Sequence, residues 1–250
     1  MVQRGLLPES KDSVVLVREA FKFFQVSSVQ SWRKTFTNPA AQYRGRAAHS
    51  RHPGFVAAWL RMGELKAAEI DCDPFDGKRF VESLGEAREL TIGSPTTRPD
   101  ALHDLFAPAG VAVVFVKEIP QAGVSGVARW LSKDKALIQV SLKFKSDDQL
   151  WFSFFHEAGH ILLHGKRKMF VEFGRHDDTV EEKEANDFAR DLLIPPEHAG
   201  KLAGLKTKRE IKAFANEVGV SPGIVVGRLQ FDGLLPISHC NDLKRKIAWE

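Results

Sequence analysis

"WFSFFHEAGHILLHG", residues 151–165, is the most apolar helical run of the chain, yet it carries His156, Glu157, His160 and His164. Its periodicity predicts a helix over about residues 147–164, closed by Gly165. Residues four apart on an α-helix lie one above the other on the same face. His156 and His160 can therefore offer two imidazoles to one ion, at about 2.0–2.1 Å from each nitrogen for zinc. Glu157 stands beside the pair and can reach a water held by that ion, taking its proton and returning it to a leaving amine. A core helix tolerates these polar groups if they converge on a cation. The plainer alternative is a set of hydrogen-bonded core histidines in accidental register. The complete H-E-x-x-H pattern on one buried helix favours the metal. His164 extends the ladder, but it sits just before Gly165 and is expected to interact with the helix C-terminus.

A catalytic zinc takes a third protein ligand and keeps one position open. The following segment, "TVEEKEANDFARDLLIPP" (179–196), predicts a second helix over 179–194, stopped by Pro195-Pro196. Its apolar stripe is Ala185, Phe188, Ala189, Leu192 and Leu193. Glu182 and Glu181 both project from that stripe, and Glu184 falls to the flank. An inward carboxylate wants a cation, which makes Glu182 the preferred ligand over Glu181 and Glu184. Helix capping competes for the same residues, because Asp178 with Glu181 and Thr179 with Glu182 both fit the capping-box spacing. Only one box can form, and the Asp178–Glu181 box leaves Glu182 free. Asn186, one turn beyond Glu182, can hydrogen-bond a ligating histidine and fix its ring.

Outward from these helices, "VAVVFVKEI" (111–119) reads as a β-branched strand, and "VSGVARWL" and "KALIQVSL", split by "SKDK", as a hairpin. Alternation of Ala136, Ile138, Val140 and Leu142 predicts a half-buried second arm. "RPDALHDLFAPAG" reads as a short helix stopped by Pro108 and Gly110. The first part is helical: "DSVVLVREAFKFFQV" (12–26), "PGFVAAWLRMGELKAAEI" (53–70) and "DPFDGKRFVESLGEARELT". "TNPAAQYRGRAAHSRHPG" (37–54) reads as a surface connection and "TIGSPTTRPD" (91–100) as a linker. The expected division is a helical N-terminal region, 1–95, and a domain over 96–250.

Composition agrees with a chain able to bury a core: 43% hydrophobic and 27% charged residues. The net charge of +4 is scattered in "KTKRE", "LKRK" and "GKRK", a pattern of solvated surface rather than a nucleic-acid footprint. The two cysteines, Cys72 and Cys240, are far apart, which argues against a disulfide scaffold or a cysteine zinc site and suits a reducing cytoplasm. No signal-peptide pattern and no apolar run near 18 residues is present, so neither secretion nor a membrane span is expected.

At "FSFFHEAGHILLHG" followed by "EEKEANDFARDLLIPP", with the hairpin ahead of them, the chain resembles the ImmA/IrrE family of gluzincin-type metallopeptidases, over about residues 96–235. The resemblance implies His156 and His160 as metal ligands, Glu157 as general base and Glu182 as the acidic third ligand. Asn186 stands where many gluzincins have Asp. It further implies an intracellular zinc peptidase, with manganese as the alternative metal, that cleaves a Cro-like helix-turn-helix repressor in a stress, phage or mobile-element response. Longer relatives carry a DNA-binding helix-turn-helix ahead of a segment similar to residues 1–95. The chain is expected to be a trimmed version, or one that depends on a separate repressor. By the same analogy a substrate peptide pairs with an exposed strand, here the hairpin 124–142 through "VSGVARWL". For the oxyanion donor the sequence offers only Tyr43, His176 and His198, none with support.

"IKAFANEVGVSPGIVVGRLQFDG" (211–233) fits a helix-turn-helix with Gly219 at the turn. Its second helix begins Ser221-Pro222-Gly223-Ile224-Val225-Val226, poor in residues that read bases, so packing or protein docking is expected instead of DNA readout. The expected fold is α+β: a small sheet with antiparallel pairing, packed on the HExxH helix and the Glu182 helix, behind a helical N-terminal region. The expected function is a zinc-dependent, cytoplasmic endopeptidase. The alternative is a non-enzymatic, antitoxin-like regulator that uses the same domain for sensing or partner binding. Retention of Glu157 favours chemistry, because a structural zinc needs no base.

Overall fold

The computed structural model describes residues 1–36, 53–93, 99–143, 145–166, 169–172 and 179–247. Most of the connection expected at 37–54 and the centre of the linker at 91–100 lie outside these residues. The helices before the sheet are α1 (Ser13–Phe24), α2 (Val29–Phe36), α3 (Pro53–Ala68), α4 (Gly77–Leu90) and α5 (Pro99–Phe106). The sheet is formed by β1 (Val111–Val116), β2 (Gly126–Trp130), β3 (Ala136–Ser141) and β4 (Phe170–Glu172), with α6 (Asp147–Leu163) between β3 and β4. Helices α7 (Val180–Leu193), α8 (Pro196–Ala199), α9 (Lys208–Val218) and α10 (Pro222–Phe231) complete the chain. The fold is α+β. Among the described residues no helix is long and apolar enough to cross a membrane.

Strand order is β1-β3-β2-β4. β1 and β3 are parallel, with Val113 opposite Ile138, while β2 is antiparallel to both β3 and β4. Strand alternation sends β1 side chains to two cores. Val111, Val113 and Phe115 join Ile138 and Val140 against Trp151, Phe154 and Phe155 of α6, with α4, α5, α7, α9 and α10 around them. Ala112, Val114 and Val116 face Phe24, Phe36, Trp59 and Leu60 of α1, α2 and α3. Helices on both faces explain why β3, expected to be half-buried, is buried along its whole length. Its polar member, Gln139, lies under α3 and donates from Nε2 to the Trp59 carbonyl, 2.8 Å away. Beside it Arg129 of β2 pairs with Glu64, which also holds Arg61 at 2.5 Å.

Helix α3 approaches this face closely because residue 63 is glycine: a Cβ there would overlap the Gln139 carboxamide. Gln139 is fully buried and held through Nε2, so yielding to a methyl group would strain its bond to the Trp59 carbonyl. Gly63→Ala is expected to destabilise the protein by about 1–3 kcal/mol, the usual cost of overpacking. A urea melt in which the variant matches wild type would refute the close approach.

The hairpin β2–β3 forms as expected, but β2 is not the free edge anticipated for it. β4 covers residues 126–128 of β2 and takes the end of the sheet. The sequence gives no warning of β4, because a three-residue strand carries too little alternation to stand out.

The start of α6 is tied down by the far end of the chain. Asp147 donates its backbone N–H to the Arg245 carbonyl (3.0 Å), and its Oδ1 accepts the Arg245 N–H (2.9 Å). Its Oδ2 accepts from Ser221 Oγ at 2.7 Å, Lys244 pairs with Asp148 at 2.7 Å, and the Ile247 N–H reaches the Lys145 carbonyl at 3.0 Å. The α9–α10 pair turns at Gly219, in the left-handed region at φ 77°. Its second helix is built into the core: Gly223, Ile224, Val225, Val226 and Leu229 are buried. Arg88 of α4 braces the two C-termini that meet nearby, donating to the carbonyls of Leu192 (2.7 Å) and Val218 (2.6 Å).

Candidate metal centre

Helices α6 and α7 cross where Gly159 meets Ala185 and Phe188. A Cβ on Gly159 would stand 3.2 Å from the Ala185 Cα and 3.0 Å from Phe188 Cδ1. That close approach lets a single glutamate side chain span the gap. His156 Nε2 and His160 Nε2 are 3.0 Å apart, and Glu182 places Oε2 3.1 Å from the first and Oε1 3.3 Å from the second. Two ligands of one tetrahedral zinc, each about 2.0–2.1 Å from it, are separated by roughly 3.3–3.4 Å. All three donor atoms lie within 4.8 Å of one another, so the set fits a divalent cation with a position left open.

The other ring nitrogens settle the tautomers. Asn186 Oδ1 lies 3.0 Å from His156 Nδ1 and can only accept there, so that Nδ1 carries a proton and, in the neutral ring, Nε2 is the nitrogen with the lone pair. His160 Nδ1 lies 3.0 Å from His164 Nδ1, and His164 Nε2 lies 3.0 Å from Glu184 Oε2. Because the Glu184 carboxylate accepts from His164 Nε2–H, His164 Nδ1 accepts from His160 Nδ1–H, and His160 Nε2 is likewise free for an ion. His164 therefore does more than sit at the helix end. Its side chain props His160, and Glu184, from the flank of α7, props His164. The sequence reading passed over this brace, although the i, i+4 ladder 156-160-164 contained its signal.

Helix capping and carboxylate reach turn out to be compatible. Thr179 is the N-cap of α7, and its Oγ1 accepts from the Glu182 backbone N–H at 3.3 Å. The cap uses the amide and leaves the Glu182 carboxylate for the histidines. Asp178, the other capping candidate, lies outside the described residues.

Glu157 is completely buried, and neither carboxylate oxygen has a hydrogen-bond partner among the described residues. Burial, and then the charges of Glu172 and Glu182, push its pKa well above the usual carboxylate range. Burial also pushes Glu182 up, but the two imidazoles outweigh it and hold this carboxyl down at about 2. For His160 burial dominates and lowers the ring to about 4, favouring the neutral form a metal ligand needs. For His156 burial works downward too, yet the Glu182 hydrogen bond and the charge of Glu172 carry the net shift upward. Buried carboxylates gathered around an imidazole solicit positive charge, which a bound cation would supply.

Residues 112–230 match the family model described as the IrrE N-terminal-like domain of the M78 peptidases. Over this stretch, just under half of the chain, the sequence is similar to the peptidase domain of the ImmA/IrrE family. No curated protein sequence matches the chain. The ImmA/IrrE match spans the sheet, both site helices and almost all of the α9–α10 pair, and it contains His156, Glu157, His160, Glu182 and Asn186.

Two further side chains of the matched region reach the metal helix from β4. Phe170 stacks on His160 with centroids 4.0 Å apart and planes 8° apart, and Glu172 accepts from Ser153 Oγ. Tyr43 and His176 lie outside the described residues. His198 is on α8, next to Glu217 at 3.4 Å. Because Asn186 fixes the His156 ring without touching the ion position, Asn186→Ala is expected to weaken metal affinity by about 10–100-fold while leaving the fold intact. Competition with a zinc-sensitive dye measures this, and an unchanged affinity would remove Asn186 from the site.

Proposed function

We propose that the chain is a zinc-dependent endopeptidase, acting in the cytoplasm on a regulatory protein, a Cro-like helix-turn-helix repressor. One observation carries the reading: three converging donors stand beside a fully buried Glu157, whose carboxylate has no hydrogen-bond partner among the described residues, inside a region that matches a peptidase family. A purely structural ion leaves a buried carboxylate at that position without a purpose. His156, His160 and Glu182 would hold the ion, zinc first and manganese as the alternative. A divalent ion supplies a Lewis acid that polarises the peptide carbonyl and makes water easier to deprotonate. Asn186 and His164 keep both Nε2 lone pairs aimed at one point. Glu157 takes the proton of the attacking water and passes it to the leaving amine. The substrate chain lies extended along β2, whose Gly126 lets the Glu157 carboxylate come up against the strand.

Burial of Gly223, Ile224 and Val225 supports a packing role for the α9–α10 pair and speaks against base reading by α10. The substrate is tested by incubating the protein with a Cro-like helix-turn-helix repressor taken from the same genome. Ion-dependent cleavage is expected, abolished by EDTA and restored by zinc. EDTA should also lower the melting temperature. An ion held at 100 times its dissociation constant contributes about 2.7 kcal/mol, or roughly 5–10 °C for a chain of this size. An uncleaved repressor together with an unchanged melting point would dismiss the peptidase reading.

A further inference from the structure

β4 runs antiparallel to β2, with Gly126 opposite Glu172, Val127 opposite Val171 and Ala128 opposite Phe170. This is the part of β2 that touches Glu157, since a Cβ on Gly126 would overlap the Glu157 carboxylate. Phe170 and Glu172 turn toward α6, one stacked on His160 and the other bonded to Ser153. Val171, between them, packs into the opposite core.

Neighbouring strands lie about 4.8 Å apart. A peptide paired directly with β2 runs alongside Glu157. One paired outside β4 lies a further strand spacing away, about 4.8 Å, whereas a general base works across roughly 2.6–3.2 Å or through one water. The lane that suits the chemistry is therefore the one β4 fills.

We infer that β4 is an internal stand-in for substrate: Phe170–Glu172 occupy the strand position on β2 that an extended substrate must take, so the folded protein is autoinhibited until β4 moves aside. The inference rests on the peptidase reading of the site. Among the described residues three of β4 pair with β2, a small ladder to exchange for an incoming chain. The same pairing that completes the sheet thus restrains the site.

A cross-link tests it. Directly opposed residues in antiparallel strands have Cα atoms about 4.5–5.5 Å apart, within the roughly 4.4–6.8 Å a disulfide spans. Val127→Cys/Val171→Cys is made in zinc-loaded protein that also carries Glu157→Gln, with Cys72→Ser and Cys240→Ser to prevent other pairings. Binding of fluorescein-labelled β-casein is read by anisotropy, with zinc content checked to be equal in both redox states. The expected result is binding when reduced, at least a tenfold loss on oxidation, and recovery with a phosphine reductant. Val171→Ala, which loosens β4 without a cross-link, should bind several-fold tighter than its parent. Equal affinity in the oxidised and reduced forms would overturn the proposal, and so would failure of the zinc-loaded Val171→Ala protein to bind at all. No cleavage is read and the test protein lacks the base, so this binding pattern keeps the β4 inference even where the wild-type protein leaves the repressor uncut with an unchanged melting point, the result that dismisses the peptidase reading.

Discussion

Glu157→Gln should retain the metal and lose about 10²–10⁴-fold in cleavage rate, the usual contribution of a positioned general base. Gln has nearly the shape of Glu, and among the described residues Glu157 makes no hydrogen bond that the exchange would break. Without the ion, burial and the charges of Glu172 and Glu182 raise its pKa, so the metal-free surroundings favour an uncharged side chain there. The melting temperature is therefore expected to hold or rise, the pattern of a residue kept for chemistry at a cost in stability. The measurements are zinc content, cleavage of the repressor and thermal unfolding on one preparation. Full cleavage by the variant would leave Glu157 without a catalytic role.

Glu182→Ala carries the second large effect. It removes one of three converging donors, and its loss should exceed the 10–100-fold typical of supporting residues, reaching at least about 10³-fold in zinc affinity. The protein should otherwise fold, because Thr179 still caps α7 through the residue-182 amide, and Gly159 still seats against Ala185. Two neighbours serve as controls. Glu181→Ala should keep zinc, since the three-donor set does not include it. Glu184→Ala should weaken binding only modestly, through loss of the His164 prop, whose outer carboxylate is 53% exposed and screened by water. Metal analysis after dialysis distinguishes them. A Glu182→Ala protein with a full complement of zinc would show that the ion, if bound, sits elsewhere.

What could be read from the sequence was what depends on short range. His156, Glu157 and His160 share a face because of helical spacing alone, and the inward course of Glu182 follows from its distance to Ala185 and Ala189. The helices at 12–26 and 53–70 announce themselves by apolar period. Other features depend on partners distant in the chain. β4 exists because β2 offers it an edge some 45 positions away, and nothing within "MFVEF" marks a strand. Gln139 and Ser141 looked like the solvent side of β3, yet α3 roofs that face and Gln139 finds the Trp59 carbonyl. The eight-residue α2, polar over most of its length, also escaped notice, because its buried end, Phe36, is a single residue. His164 was legible by spacing but was assigned to the nearest familiar role, a charge at a helix end, when its partner was the adjacent imidazole.

The clasp between Asp147 and Arg245 has a consequence for how the protein is made. A chain leaving the ribosome exposes the HExxH segment long before residues 244–247 emerge, so the first turn of that helix must wait for its amide and carboxylate partners. The helix that carries His156 and His160 can thus be anchored only once residues 164–243 have been made as well. A polypeptide cut short before residue 244 is therefore expected to hold the start of that helix less firmly than the full chain does.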